Sequence, residues 1–178
     1  MTEEIDLGAV APGNRDAFAT ILESVTQRIA SAAKGAGLNG AALRDALSEA
    51  VGDAARDAVE KGGDLGPAAK AIMMGVVRGT GETGEAALTL LSHAARIVIR
   101  QTADRNGNLA AAIKGIVLGA IASARAMGVE TAKAASTAAQ GALAGASEAG
   151  ALTVERVLGA LKEPIGGSKV LLPAPLAT

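Results

Sequence analysis

The sequence predicts an all-α protein made of tandem helical hairpins, with a repeat of about 44 residues, that form a bundle or a short solenoid. Glycine, serine, lysine and isoleucine recur in step along the chain. Apolar residues follow helical spacing within each segment, and glycine, proline and asparagine separate the segments. A fixed period of this length is typical of stacked helical units, none of which buries its apolar face alone.

The repeat depends on residue types other than alanine, because alanine matches mean little in so alanine-rich a chain. The residues that recur in step are Gly40, Gly84 and Gly128; Ser48, Ser92 and Ser136; Lys70 and Lys114; Ile72 and Ile116; and Gly75 and Gly119. Each repeat is therefore interpreted as a hairpin of two helices with a bend at glycine between them.

The first helix follows a flexible leader, residues 1–13. Asn14 or Asp16 is expected to cap it, because a short side-chain acceptor satisfies the free N–H groups of a first turn. The helix is expected to end near residues 35–37. Its apolar positions have helical spacing: Phe18, Ile21, Leu22, Val25 and Ile29.

Glycine-rich signals divide the next three helices. The second is expected to begin at Asn39 and to end at residues 61–63. Asp64 is expected to cap the third, which continues to a glycine-rich break at residues 79–81, and the fourth covers residues 82–104.

The last part of the helical domain, which spans residues 14–163, begins with the predicted cap Asn108. Residues 109–149 form either one long helix or two helices flexed at Gly128, and residues 151–163 form a short last helix before Pro164. Residues 164–178 are expected to be a flexible, apolar tail that contains proline.

Composition limits the classes of function. The chain has 178 residues, with 17 Lys and Arg against 18 Asp and Glu, no cysteine and 1% aromatic residues. Nucleic-acid binding is not expected, because it needs a concentrated basic face and usually aromatic stacking platforms. Large apolar residues are sparse, so a monomer should bury little surface, and self-association is expected.

Small residues at a spacing of four predict close helix packing, as in small-xxx-small motifs. We expect an interface between copies of the chain, with the apolar tail available to a partner protein. The residues assigned to these contacts are Gly75, Gly79, Gly115, Gly119, Ser123, Gly141 and Gly145, and Val170, Leu171 and Leu172 in the tail.

A glycine motif offers a different interpretation. Gly79, Gly81 and Gly84 match the dinucleotide-binding pattern, an apolar run precedes them, and Asp104 follows about twenty residues later, the spacing of a ribose-binding acid. The alternative interpretation is a bend between helices, because the matching segment at residues 107–150 keeps one of the three glycines.

Other candidate groups point away from catalysis. His93 is the single histidine, and its spacing implies no carboxylate or hydroxyl partner. The serines that recur in step are expected to be packing residues that bond a carbonyl one turn earlier. We therefore expect no enzyme activity, no cofactor and no metal site.

Residues 38–162 consist of repeated Ala/Gly-rich helical segments, such as residues 41–50. In this pattern they resemble a family of uncharacterised bacterial Ala/Gly-rich helical-repeat proteins. They also resemble, more loosely, the phasin-like coat proteins of storage granules. The first resemblance implies no known activity, and the second implies coating of a hydrophobic surface.

The expected function is that of a non-catalytic scaffold that self-associates. The first alternative is an amphipathic coat on a lipid or hydrophobic polymer surface, and the second is dinucleotide binding. The N-terminus is acidic, and no uncharged apolar run reaches the ~20 residues that span a bilayer. We expect a cytoplasmic protein, with contact to a membrane or granule surface left open.

Overall fold

The computed structural model describes residues 12–36, 40–167 and 170, and the regular elements in this part of the chain are seven α-helices. They are α1 (Pro12–Ala36), α2 (Gly40–Glu60), α3 (Leu65–Thr80), α4 (Gly84–Asp104), α5 (Leu109–Met127), α6 (Thr131–Ala149) and α7 (Ala151–Leu161). The predicted all-α class is confirmed.

The helices pack as a bundle in two rows. α1, α3 and α5 lie side by side in one row, and α2, α4 and α6 form the other. Consecutive helices also touch across the rows, and α7 packs on both α5 and α6. Each helix therefore makes its main contacts with helices one or two places away along the chain.

Several helix ends lie where the sequence predicts them. The Asp64 carboxylate accepts a hydrogen bond from the Gly66 N–H at 3.0 Å, and the Asn108 side chain accepts one from the Ala111 N–H at 3.0 Å. Gly128 has a φ of 67° and ends α5, so residues 109–149 form two helices. This φ lies in the left-handed region that glycine adopts without a steric penalty.

Other boundaries differ from the prediction. α1 begins at Pro12, before Asn14 and Asp16, because proline suits a first helical turn, where its missing N–H costs no bond. α4 begins two residues later than expected and α7 ends two residues earlier, at Leu161. Residues 1–11 of the leader, the expected helix start Asn39, and Leu171 and Leu172 of the tail lie outside the described residues.

The core consists of aliphatic side chains and many alanines. Its largest fully buried members include Ile29, Leu47, Met73, Leu91 and Ile113. Burial of such side chains stabilises a fold by roughly 1.5–3 kcal/mol each, whereas alanine contributes mainly by letting helices approach closely.

α5 is the one described helix that is long and apolar enough to cross a membrane. Its mean hydropathy is 1.5, and 56% of the apolar window is buried inside the bundle. Length and composition are weak evidence for a membrane span, because the core helix of a soluble protein passes the same test.

Candidate functional site

Two glycines on α3 lie against α1. A Cβ atom built on Gly75 would lie 2.9 Å from the Cβ of Val25, and one on Gly79 would lie 2.8 Å from the Cβ of Ile29. Real Cβ atoms do not approach this closely, so the contact between α1 and α3 depends on glycine at both positions.

Two glycines on α5 lie against α3 in a similar way. A Cβ on Gly115 would overlap the carbonyl oxygen of Gly66, and one on Gly119 would lie 2.7 Å from the Cβ of Met73. Ser123, one turn further along α5, is buried.

The contact between α4 and α6 is of the same kind. A Cβ on Gly141 would overlap the carbonyl oxygen of Ser92, and one on Gly145 would overlap the carbonyl oxygen of Arg96. All six glycines assigned to an interface thus face helices of their own chain in this structure. Val170 is also buried, in the hydrophobic core cluster.

The glycine motif at residues 79–84 joins two helices. α3 runs to Thr80, Gly81 and Gly84 have φ values of 65° and 58°, and α4 begins at Gly84. A dinucleotide fingerprint needs a strand before its first glycine, whereas α3 is helical up to Thr80, so this segment is a bend between two helices. Of the other residues in the motif, Gly79 packs against α1, and Asp104 is the last residue of α4.

His93 has a hydroxyl partner, contrary to the expectation from spacing. The Ser48 Oγ lies 2.9 Å from the His93 Nε2, and it also donates a hydrogen bond of 2.8 Å to the Arg44 carbonyl oxygen. A hydroxyl has one proton, so Ser48 accepts the Nε2–H of His93 in this arrangement. The imidazole is thereby held in one orientation between α2 and α4.

A groove of about 630 Å³ opens beside this pair, between α2, α4 and α6. Arg44 contributes from α2, His93 and Arg96 from α4, and Thr137 and Gln140 from α6. Ser48 is not among the residues that line it. The serine therefore positions the imidazole, and the imidazole faces the groove.

The electrostatics of the groove favour a neutral imidazole. Burial lowers the pKa of His93 below its ordinary value of 6.5, and the positive charges of Arg96 and Arg44 lower it further. Both guanidinium groups therefore act on the same ring. His93 is an uncharged acceptor or donor at neutral pH, and it gains a proton only in more acidic solution or beside a negative charge.

The predicted 44-residue repeat relates these two residues in the sequence. Ser48 and His93 are 45 residues apart, so His93 directly follows Ser92, which recurs in step with Ser48. Because α2 packs on α4, residues about 45 positions apart on these two helices become neighbours, as Ser48 and His93 do. Spacing within a single helix carries no such information.

Among the residues that the structure describes, no group of three or more His, Asp or Glu is placed to hold a metal ion. Comparison with known proteins identifies no relative: no protein-family model, no curated protein and no solved structure matches the chain.

Proposed function

We propose that the protein is a non-catalytic helical scaffold that self-associates and presents its surface, including the C-terminal tail beyond the buried Val170, to a partner protein. The supporting observation is that one type of close helix contact occurs twice along the row formed by α1, α3 and α5. Stacking of like units is the principle on which repeat scaffolds are built.

The two contacts are of the same kind but differ in register. Gly75 lies against the Leu22 carbonyl and Val25, and Gly115 lies against the Gly66 carbonyl and Ala69. The contacted residues are separated by the 44-residue period, whereas the two glycines are 40 residues apart. The second contact is therefore displaced by about one helical turn relative to the first.

The following glycine of each pair continues the pattern. Gly79 lies against the Thr26 carbonyl and Ile29, and Gly119 lies against the Lys70 carbonyl and Met73. This likeness in kind supports tandem hairpins packed through Gly/Ala faces, with the difference that the 44-residue repeat aligns Gly75 with Gly119 and the contacts align it with Gly115. In such a stack, a neighbouring unit supplies most of each unit's buried surface.

Self-association through these faces would require hairpin exchange, because each face is already occupied within the chain. A hairpin of one copy would replace the equivalent hairpin of another, as in domain swapping. The likeness of the two contacts favours this route, since α1 and α3 each present a surface that receives a pair of glycines.

The test is the solution mass by light scattering after size exclusion, with a helicity spectrum of each peak. A discrete, highly helical oligomer is expected. Gly115→Leu should abolish it and lower the melting temperature, whereas Gly159→Leu on α7, which has open space around it, should preserve both. Wild-type mass and melting in Gly115→Leu, or a fully helical monomer at every concentration, would contradict the proposal.

One observation favours a second function, a coat on a lipid or hydrophobic polymer surface. Leu152 on α7 is 71% exposed, the one large hydrophobic side chain so exposed among the described residues. Co-flotation with liposomes or granules that is lost in Leu152→Asp would support this function. No co-flotation of the wild-type protein would exclude it.

A further inference from the structure

We propose that the groove between α2, α4 and α6 binds a small molecule through its phosphate or carboxylate group, with Arg44, His93 and Arg96 holding the anion. This ligand site is separate from the scaffold function and does not depend on it.

The first argument is the balance of charge around the groove. Arg44 forms no ion pair with any described residue. Arg96 and Arg100 share a single carboxylate, that of Glu148. Glu85, the acidic residue that lines the groove, pairs with Lys133 of α6. Positive charge is thus in excess where the guanidinium groups face His93.

The second argument is the set of hydrogen-bond donors. Guanidinium groups offer several N–H donors in a planar fork that matches the oxygens of phosphate and carboxylate. The Nε2 of His93 is hydrogen-bonded to Ser48. The Nδ1 of His93 has no hydrogen-bond partner among the described residues. An anion between Arg44 and Arg96 would offset the two charges that disfavour the imidazolium, so Nδ1 would take up a proton and donate it in a hydrogen bond.

The third argument is size. The groove volume of about 630 Å³ lies within the roughly 300–1,000 Å³ typical of small-molecule sites. Ser92, Thr137 and Gln140 add neutral polar groups along the walls. An isolated phosphate or acetate ion would fill a small part of this space, so the ligand is expected to carry an organic body.

The experiment uses His93 as its own reporter, because a single histidine gives one Cε1–H resonance in the proton spectrum. The full-length protein is titrated with acid in sodium phosphate and, separately, in sodium chloride of equal ionic strength. Phosphate should raise the pKa of His93 relative to chloride, and the resonance should shift saturably with phosphate at fixed pH. Acetate in a third series separates carboxylate from phosphate recognition.

Arg44→Gln gives two distinct expectations. The pKa of His93 should rise in chloride, because a positive charge that lowers it is gone. The affinity for the anion should fall by at least about tenfold, the loss typical of removing hydrogen bonds to a charged group. Arg156→Gln, an exposed arginine on α7, is the matched control and should change neither quantity.

Helicity spectra and melting curves establish that both variants fold. Saturable binding of either anion that is weakened by Arg44→Gln and kept by Arg156→Gln supports the site. If the pKa of His93 is the same in phosphate, acetate and chloride, the proposal is overturned. An anion response in Arg44→Gln equal to that of the wild-type protein also overturns it.

Discussion

Gly141 on α6 lies so close to the carbonyl oxygen of Ser92 on α4 that a single added carbon atom would overlap this oxygen. The obstacle is backbone in the middle of a neighbouring helix, which cannot rotate aside as a flexible side chain could. The separation between α4 and α6 is therefore set by the absence of a side chain at this position.

Gly141→Ala should destabilise the protein, because α6 must move away from α4 to accommodate the methyl group. We expect a loss of about 1–3 kcal/mol in the free energy of unfolding, as for other overpacked cores. The control is Gly159→Ala on α7, where nothing lies within 4 Å of the new atom. Alanine there should stabilise by about 0.5–1 kcal/mol through helix propensity. Urea unfolding measures both; equal effects would refute the interpretation.

Asp64→Ala should destabilise the protein by about 1 kcal/mol, because the Gly66 N–H at the start of α3 loses its acceptor. Thr83→Ala is the matched control, since Thr83 precedes α4 without forming a side-chain capping bond. Denaturant midpoints compare the two variants. A larger loss in Thr83→Ala than in Asp64→Ala would contradict the assignment.

Asp53 should contribute to the loss of folding stability in acid. A hydrogen bond from Arg28 on α1, together with the charges of Arg56 and Arg28, holds the pKa of Asp53 below its ordinary value of 3.8. The ionised form is favoured in the folded protein, so its contribution is present above the ordinary value and is lost as the pH falls through the lowered one.

Asp53→Asn should therefore reduce the loss of stability between neutral and strongly acidic solution. Asp57→Asn, an exposed aspartate one turn further along α2, serves as the control. Urea unfolding at several pH values measures the difference. An unchanged acid dependence in Asp53→Asn would show that the pair with Arg28 does not persist in solution.

His93 should cause a second, separate pH dependence. Its pKa in the folded protein lies below 6.5, so the unfolded chain takes up the proton first as the pH falls. Stability should decrease as the pH falls through 6.5 and level off below the lowered folded value. His93→Gln should remove this step, and no other histidine can reproduce it. The same step in His93→Gln would contradict the assignment.

Local signals in the sequence were sufficient for the all-α class and for several helix ends. Asp64, Asn108 and Gly128 act through bonds or backbone angles within a few residues, so their roles can be predicted without knowing the neighbouring helices. The predicted start of α1 is wrong, because Pro12 is compatible with a first helical turn as well as with a leader.

The groove could not be predicted in this way. Ser48 and His93 meet because α2 packs on α4 in one register, and Arg44 joins them from one turn before Ser48. Such a register depends on which backbones can approach closely. The sequence reveals small residues, but it does not specify which helix each of them faces.

The order of contacts along the chain affects how the molecule opens. Each substantial contact joins helices that are consecutive or separated by one other helix. α1 and α2 can therefore detach without breaking the contacts among α5, α6 and α7, and α7 can detach without breaking those among α1, α2 and α3, so unfolding should proceed in stages from the terminal helices. Amide hydrogens of α1 should then exchange through partial opening, while those of α5, enclosed by neighbours on several sides, should exchange only when most of the bundle is lost.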